Sequence, residues 1–77
     1  MTPATREHDQ VRALAELLAL EYAGAVAPGR VLGVVFRAHR ALRLIHELSP
    51  ARRLETTEAI ARDQLTAQVS SRPRVVA

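Results

Sequence analysis

The 77-residue chain contains no cysteine. Disulfide bonds, thiolate catalysis and cysteine-based zinc sites are therefore excluded. A chain this short buries a smaller share of its surface than an average domain, so its own core is marginal. Small domains usually compensate with disulfides, a metal or oligomerisation. Because disulfides are excluded here, oligomerisation is the remedy that remains open.

Lysine is also missing, and aromatic residues are scarce. All eleven basic residues are arginine, a pattern typical of GC-rich coding sequences, and the formal net charge is only +3. The high isoelectric point mainly reflects the high pKa of arginine rather than a large charge excess. Tyr22 and Phe36 are the only large aromatic side chains. This scarcity disfavours a surface that stacks single-stranded nucleic-acid bases.

Long apolar runs are lacking as well. No run approaches the roughly 20 residues that a membrane-spanning helix needs. The first ten residues, MTPATREHDQ, are polar and charged where a signal peptide would carry an apolar segment. These features predict a cytoplasmic protein that does not interact with membranes.

What the chain does contain is helical periodicity, with apolar residues spaced by three and four. The pattern predicts an all-α fold, a three-helix bundle with helices at about residues 5–25, 29–48 and 50–68. Proline opens the second and third helices at Pro28 and Pro50, and Ser49 is placed to cap the third. The predicted domain covers residues 1–69, and residues 70–77 are predicted to be a disordered tail.

The second predicted helix, residues 29–48, has two apolar faces. At about 100° per residue, one face is an ordinary core stripe. That stripe comprises Val31, Val34, Val35, Ala38, Leu42 and Ile45. Leu32 and Phe36 lie one turn apart, away from the stripe, and a single short chain has little material to cover them. We therefore expect a second copy of the chain to cover this patch, in a homodimer whose contact includes Leu32, Phe36, His39, Arg40 and Leu44.

No arrangement of polar residues indicates catalysis, a metal or a cofactor. His39 and His46 are two helical turns apart, whereas metal ligands on a helix usually lie one turn apart. The histidines are better explained by packing or interface roles that would make dimer stability depend on pH. The carboxylates are scattered, and no nucleophile or phosphate-loop motif is present. The chain is predicted not to be an enzyme.

An arginine cluster offers the alternative interpretation, a small dimeric DNA-binding regulator or antitoxin-like protein. The candidate phosphate contacts are Arg37, Arg40, Arg43, Arg52 and Arg53. Two features disfavour nucleic acid as a partner. Apolar Leu32, Phe36 and Leu44 are interleaved with these arginines, and the third helix presents three carboxylates that DNA would repel. Arginine is also enriched in protein interfaces, which fits the homodimer.

The run from Val11 to Gln68 resembles the three-helix bundle dimerisation domain of high-GC bacteria. The likeness rests on LAELLALEYAG, VAPGRVLGVVFRAHRAL and TEAIARDQL. In that family the domain occurs as a free-standing small protein and at the N-terminus of some arsenate reductases of the tyrosine-phosphatase type. This chain has no phosphatase domain, so that chemistry is not transferred. The resemblance implies a helical dimer, a protein–protein association module that could serve a separately encoded partner.

Overall fold

A computed structural model describes residues 3–45 and 47–70, with side chains from residue 6 onward. It contains three α-helices and, within these residues, no strand. Helix α1 spans Pro3–Glu21, α2 spans Pro28–Leu42 and α3 spans Pro50–Ser70. The predicted all-α three-helix bundle is confirmed. No helix in the described part of the chain is both long enough and apolar enough to cross a lipid bilayer.

The helices run up, down and up, with α2 packed against both neighbours. Arg53 near the start of α3 binds Glu7 near the start of α1. Tyr22, just after α1, lies 3.3 Å from Thr66 near the end of α3, measured between their hydroxyl oxygens. Helices α1 and α3 are therefore parallel. The end of α2 meets the start of α1, so α2 is antiparallel to both.

The turn between α1 and α2 is built from glycine and proline, as the sequence suggests. Gly24 adopts a φ of 86°, a left-handed conformation that side chains with a Cβ rarely tolerate. Ala27 is extended before Pro28, which occupies the first turn of α2. The chain thus reverses direction within Tyr22–Ala27, where the amide of Val26 still bonds to the Tyr22 carbonyl.

Helix α2 ends earlier than predicted, at Leu42 rather than Leu48. After Leu42 the backbone forms turns that are tighter than an α-helix. The amide of Leu44 donates to the Ala41 carbonyl, and the amide of Ile45 donates to the Leu42 carbonyl. The prediction of Ile45 as a core residue is wrong, because this side chain is exposed. Between Leu42 and Ser49-Pro50 the sequence has no glycine or proline, so the apolar pattern could not show that this segment reverses the chain.

Helix α3 begins with the predicted cap. The backbone amide of Arg52 donates to Ser49 Oγ at 3.2 Å, and that of Arg53 donates to the Ser49 carbonyl at 2.8 Å. The helix continues through Ser70, the first residue of the predicted tail. The remaining predicted tail residues, 71–77, lie outside the described residues.

The core is small and made of modest side chains. Its buried apolar residues are Val11, Leu14, Ala15, Leu18, Val26, Val31, Val34, Val35, Ala38, Leu42, Ala61 and Leu65. No aromatic side chain is among them. Leu32 and Phe36 are half-buried and pack against this core. Because α2 lies between two helices, part of its second apolar patch is already covered within the chain.

Candidate functional site

One polar cluster joins all three helices. Glu7 of α1 accepts from both neighbours: its Oε2 lies 3.2 Å from Nε2 of His39 in α2, and its Oε1 lies 2.5 Å from a guanidinium nitrogen of Arg53 in α3. Arg53 also donates to the Leu48 carbonyl at 3.2 Å. The three side chains therefore fix the starts of α1 and α3 to the end of α2.

This Glu7–His39–Arg53 cluster is largely removed from water. The side chains are 12%, 10% and 15% exposed respectively. Arg53 Nε is buried and has no hydrogen-bond partner among the described residues. Removing a charge from water is costly unless it has a partner. Loss of either Glu7 or Arg53 would therefore leave the other charge buried without its ion-pair partner. A second ionic group, in which Arg62 binds Glu21 and Glu58, is far more exposed and contributes less.

His39 favours its neutral form in this setting. Burial lowers the pKa of His39 below the usual 6.5. The Glu7 carboxylate, through its charge and its hydrogen bond, opposes that shift. The cations Arg43 and Arg53 add to the lowering. In the neutral ring Nε2–H donates to Glu7, which leaves Nδ1 as an acceptor.

The lowered pKa predicts that stability falls in mild acid. The unfolded chain binds a proton to His39 below about pH 6.5, whereas the folded chain resists that proton, so acid favours unfolding. The contribution is complete above about pH 6.5 and is lost as pH falls towards the folded pKa. Urea denaturation followed by circular dichroism should give a lower midpoint at about pH 5.5 than at about pH 7.5.

The control for this pH effect is His39→Gln, which keeps a donor near Glu7 but cannot titrate. Its urea midpoint should change less between the two pH values than that of the unaltered chain. His8 lines the depression beside His39, so its replacement is the matched histidine control. The variant His8→Gln should therefore keep most of the pH dependence. If His39→Gln retains the full dependence and His8→Gln loses it, His39 is not the responsible group.

A surface depression of about 220 Å³ lies beside the ionic cluster. Its lining residues are Glu7, His8, Phe36, His39, Arg40 and Arg43. The rings of His8 and Phe36 are tilted by 32° with centroids 5.9 Å apart, so they form an aromatic wall between α1 and α2. We call this depression the α1–α2 pocket. The described residues contain no group of three histidine or acidic side chains able to hold a metal ion.

The predicted dimer-contact residues fall into three environments. Phe36, His39 and Arg40 all line the α1–α2 pocket, and His39 is hydrogen-bonded to Glu7. Leu32 is half-buried against the core. Leu44 is 79% exposed, in the connection that follows α2. The structure therefore brings three of the five together and leaves Leu44 as the most exposed apolar member.

The predicted arginine set does not form a single surface. Arg53 is buried with Glu7, and Arg52 faces Glu55 at 3.9 Å. Arg40 and Arg43 line the α1–α2 pocket, whereas Arg37 lines a different depression, near Gly33 and Gln68. A phosphate-binding role for Arg53 would require breaking its buried pair, which weakens the DNA-binding alternative.

Sequence reasoning missed the partnership between Glu7 and Arg53. No sequence pattern links Glu7 to a partner, and Arg53 is predicted only as a candidate phosphate contact. The two residues are 46 positions apart and belong to parallel helices, so no local spacing links them. One signal was available in the sequence. Glu7, His39 and Arg53 are titratable residues that flank the core positions near helix ends, and short turns would bring those helix ends together. His46 lies outside the described residues.

Comparisons with protein-family models, curated proteins and solved structures give no match to this chain. The resemblance to the three-helix bundle dimerisation domain therefore stays a prediction.

Proposed function

We propose that this chain is a non-enzymatic protein–protein association module that forms a homodimer. The observation that carries the proposal is the contrast between a small core and a set of exposed aliphatic side chains. Among the described residues, five large apolar side chains are exposed, and Leu44 is the one that belongs to the predicted dimer contact. The five are Leu17, Leu20, Leu44, Ile45 and Val69. The core they fail to join is small and built only of valine, leucine and alanine. A domain with so little buried apolar surface gains most from burying more in an assembly.

The proposed contact runs along the side of α2 that carries Leu32, Phe36 and Arg40, and continues to Leu44. Leu32 and Phe36 retain partial exposure after α1 has packed against the core. Leu44 is almost fully exposed, and Arg40 is exposed beside Phe36. Apolar centres rimmed by arginine are typical of protein interfaces. His39 is buried next to this surface, and its hydrogen bond to Glu7 fixes the end of α2 against α1.

The test uses two leucines that are matched in exposure but lie in different parts of the molecule. Leu44→Asp alters the proposed contact, and Leu20→Asp alters the outer face of α1, where Leu20 is 76% exposed. Neither substitution should disturb the monomer core. We expect Leu44→Asp to weaken dimerisation by about tenfold or more, because it would place a charge in an apolar contact. Leu20→Asp should leave dimerisation unchanged.

Size-exclusion chromatography with light scattering over a dilution series measures this difference. Circular dichroism should show that both variants keep the helical content of the unaltered chain. If Leu20→Asp dissociates the dimer and Leu44→Asp does not, the contact lies on α1 and the proposed face is wrong. Phe36→Asp is less informative, since Phe36 also packs against the chain's own core.

A further inference from the structure

The α1–α2 pocket has an excess of positive charge that the fold does not neutralise. Glu7 is its only carboxylate, and both of its oxygens are occupied by His39 and Arg53. Arg40 and Arg43 take part in none of the ion pairs formed among the described residues. Two guanidinium groups, with His8 beside them, therefore face a concave surface without a counter-charge.

The helix dipoles at this end of the bundle add to the positive potential. The parallel α1 and α3 both begin here, and only α2 ends here. Each helix start carries a partial positive charge, and each helix end a partial negative one. Two starts against one end favour an anion. The partial negative charge at the end of α2 explains why Arg40 in its last turn and Arg43 at its C-cap are tolerated. It does not explain why both arginines line a pocket with His8 and Phe36.

The pocket's size and lining restrict the ligand. About 220 Å³ is smaller than the roughly 300–1,000 Å³ of a typical drug-sized site, so a nucleotide would not be enclosed. Arginine presents paired N–H donors that match planar or tetrahedral oxyanions. The half-buried Phe36 ring, with His8 against it, would cover one side of a bound group and so strengthen its interaction with the charges.

We propose that the α1–α2 pocket binds a small dianionic oxyanion of the phosphate type, held by Arg40 and Arg43 with His8 as a third donor. All of the lining residues belong to one chain, so the site needs no second copy. Phe36 and Arg40 also belong to the proposed dimer contact, so dimerisation competes with the anion for this surface. The anion neutralises the two arginines that lie beside the buried Glu7–His39–Arg53 cluster. Binding would therefore stabilise the junction of the three helices.

Inorganic phosphate is the probe, titrated at constant ionic strength and followed by nuclear magnetic resonance. Resonances of His8, Phe36 and the Arg43 amide should shift and saturate. Tyr22, at the opposite end of α1, should not shift. Acetate at the same ionic strength should bind more weakly, because two guanidinium groups favour a dianion. Equal binding of acetate and phosphate, or shifts that never saturate, would overturn the proposal.

Two double variants with the same change in net charge provide the control. Arg40→Ala/Arg43→Ala removes the pocket donors, and Arg30→Ala/Arg37→Ala removes two exposed arginines that line another depression on α2. The first should weaken phosphate binding by about tenfold or more, and the second by no more than about twofold. Equal loss in both variants would show that phosphate responds only to general surface charge.

The same samples separate this proposal from the homodimer. Light scattering with and without phosphate gives the mass at each step. A monomer that binds phosphate at the pocket contradicts the homodimer and leaves the anion site standing. A dimer whose pocket resonances ignore phosphate, both in the unaltered chain and in the Leu44→Asp variant, does the reverse, because Leu44 does not line the pocket and its substitution should uncover it.

Discussion

Glu7→Ala should destabilise the fold by about 3–5 kcal/mol, the usual cost of removing one partner from a buried ion pair. The substitution leaves Arg53 buried with the Leu48 carbonyl as its only described acceptor, and it removes the partner of His39. A small core rarely supplies more than about 3–5 kcal/mol in total. We therefore expect the variant to be largely unfolded at room temperature by far-ultraviolet circular dichroism.

Two further variants show whether burial is the cause. Glu16→Ala removes the partner of Arg12, but both side chains of that pair are well exposed, so the loss should stay below about 1 kcal/mol. Glu7→Leu/Arg53→Leu replaces both buried charges with apolar side chains and should recover much of the stability lost in Glu7→Ala. If Glu7→Ala costs no more than Glu16→Ala in urea denaturation, the cluster does not join the helices.

Leu65→Ala is the second large effect, with an expected loss of about 2–5 kcal/mol. The buried residues of α3 are only Thr57, Ala61 and Leu65, and Leu65 is the largest of them and fully buried. Its truncation removes the main apolar anchor that holds α3 on the other two helices. Because most helical stability in proteins comes from the packing of an apolar face, α3 should lose helicity as it separates.

Leu20→Ala is the matched control for Leu65→Ala, since it deletes the same atoms from a side chain that faces solvent. It should change the free energy of unfolding by no more than about 0.5 kcal/mol. Urea denaturation of both variants gives the comparison directly. Similar losses from the two substitutions would mean that α3 does not pack as described.

The helices could be predicted because each carries its own signals. Proline at residues 28 and 50 marks two starts, and Ser49 caps one of them. The first helix ends at Glu21 rather than at the predicted residue 25, and Gly24 lies in the turn that follows. The end of α2 could not be predicted, because Leu44 and Ile45 continue its apolar pattern without contributing to the core. The turn after Leu42 is set by the position from which α3 packs against the other two helices. That tertiary constraint is not encoded in local helix propensity.

The site was predictable only in part. The sequence placed Phe36, His39 and Arg40 on one side of α2, and the structure brings them together in the α1–α2 pocket. The sequence could not show that α1 would cover part of that side, because the spacing of residues along one helix does not reveal which helix packs against it. The Glu7–Arg53 pair was out of reach for the same reason, since it depends on α1 and α3 being parallel.

Sedimentation equilibrium of the unaltered chain over a range of micromolar concentrations tests the proposed homodimer most directly. Mass action predicts an average mass that rises with concentration towards twice the 8.5 kDa of one chain. A constant mass of one chain at every concentration would contradict the homodimer, and the half-exposed Leu32 and Phe36 would then be ordinary surface residues.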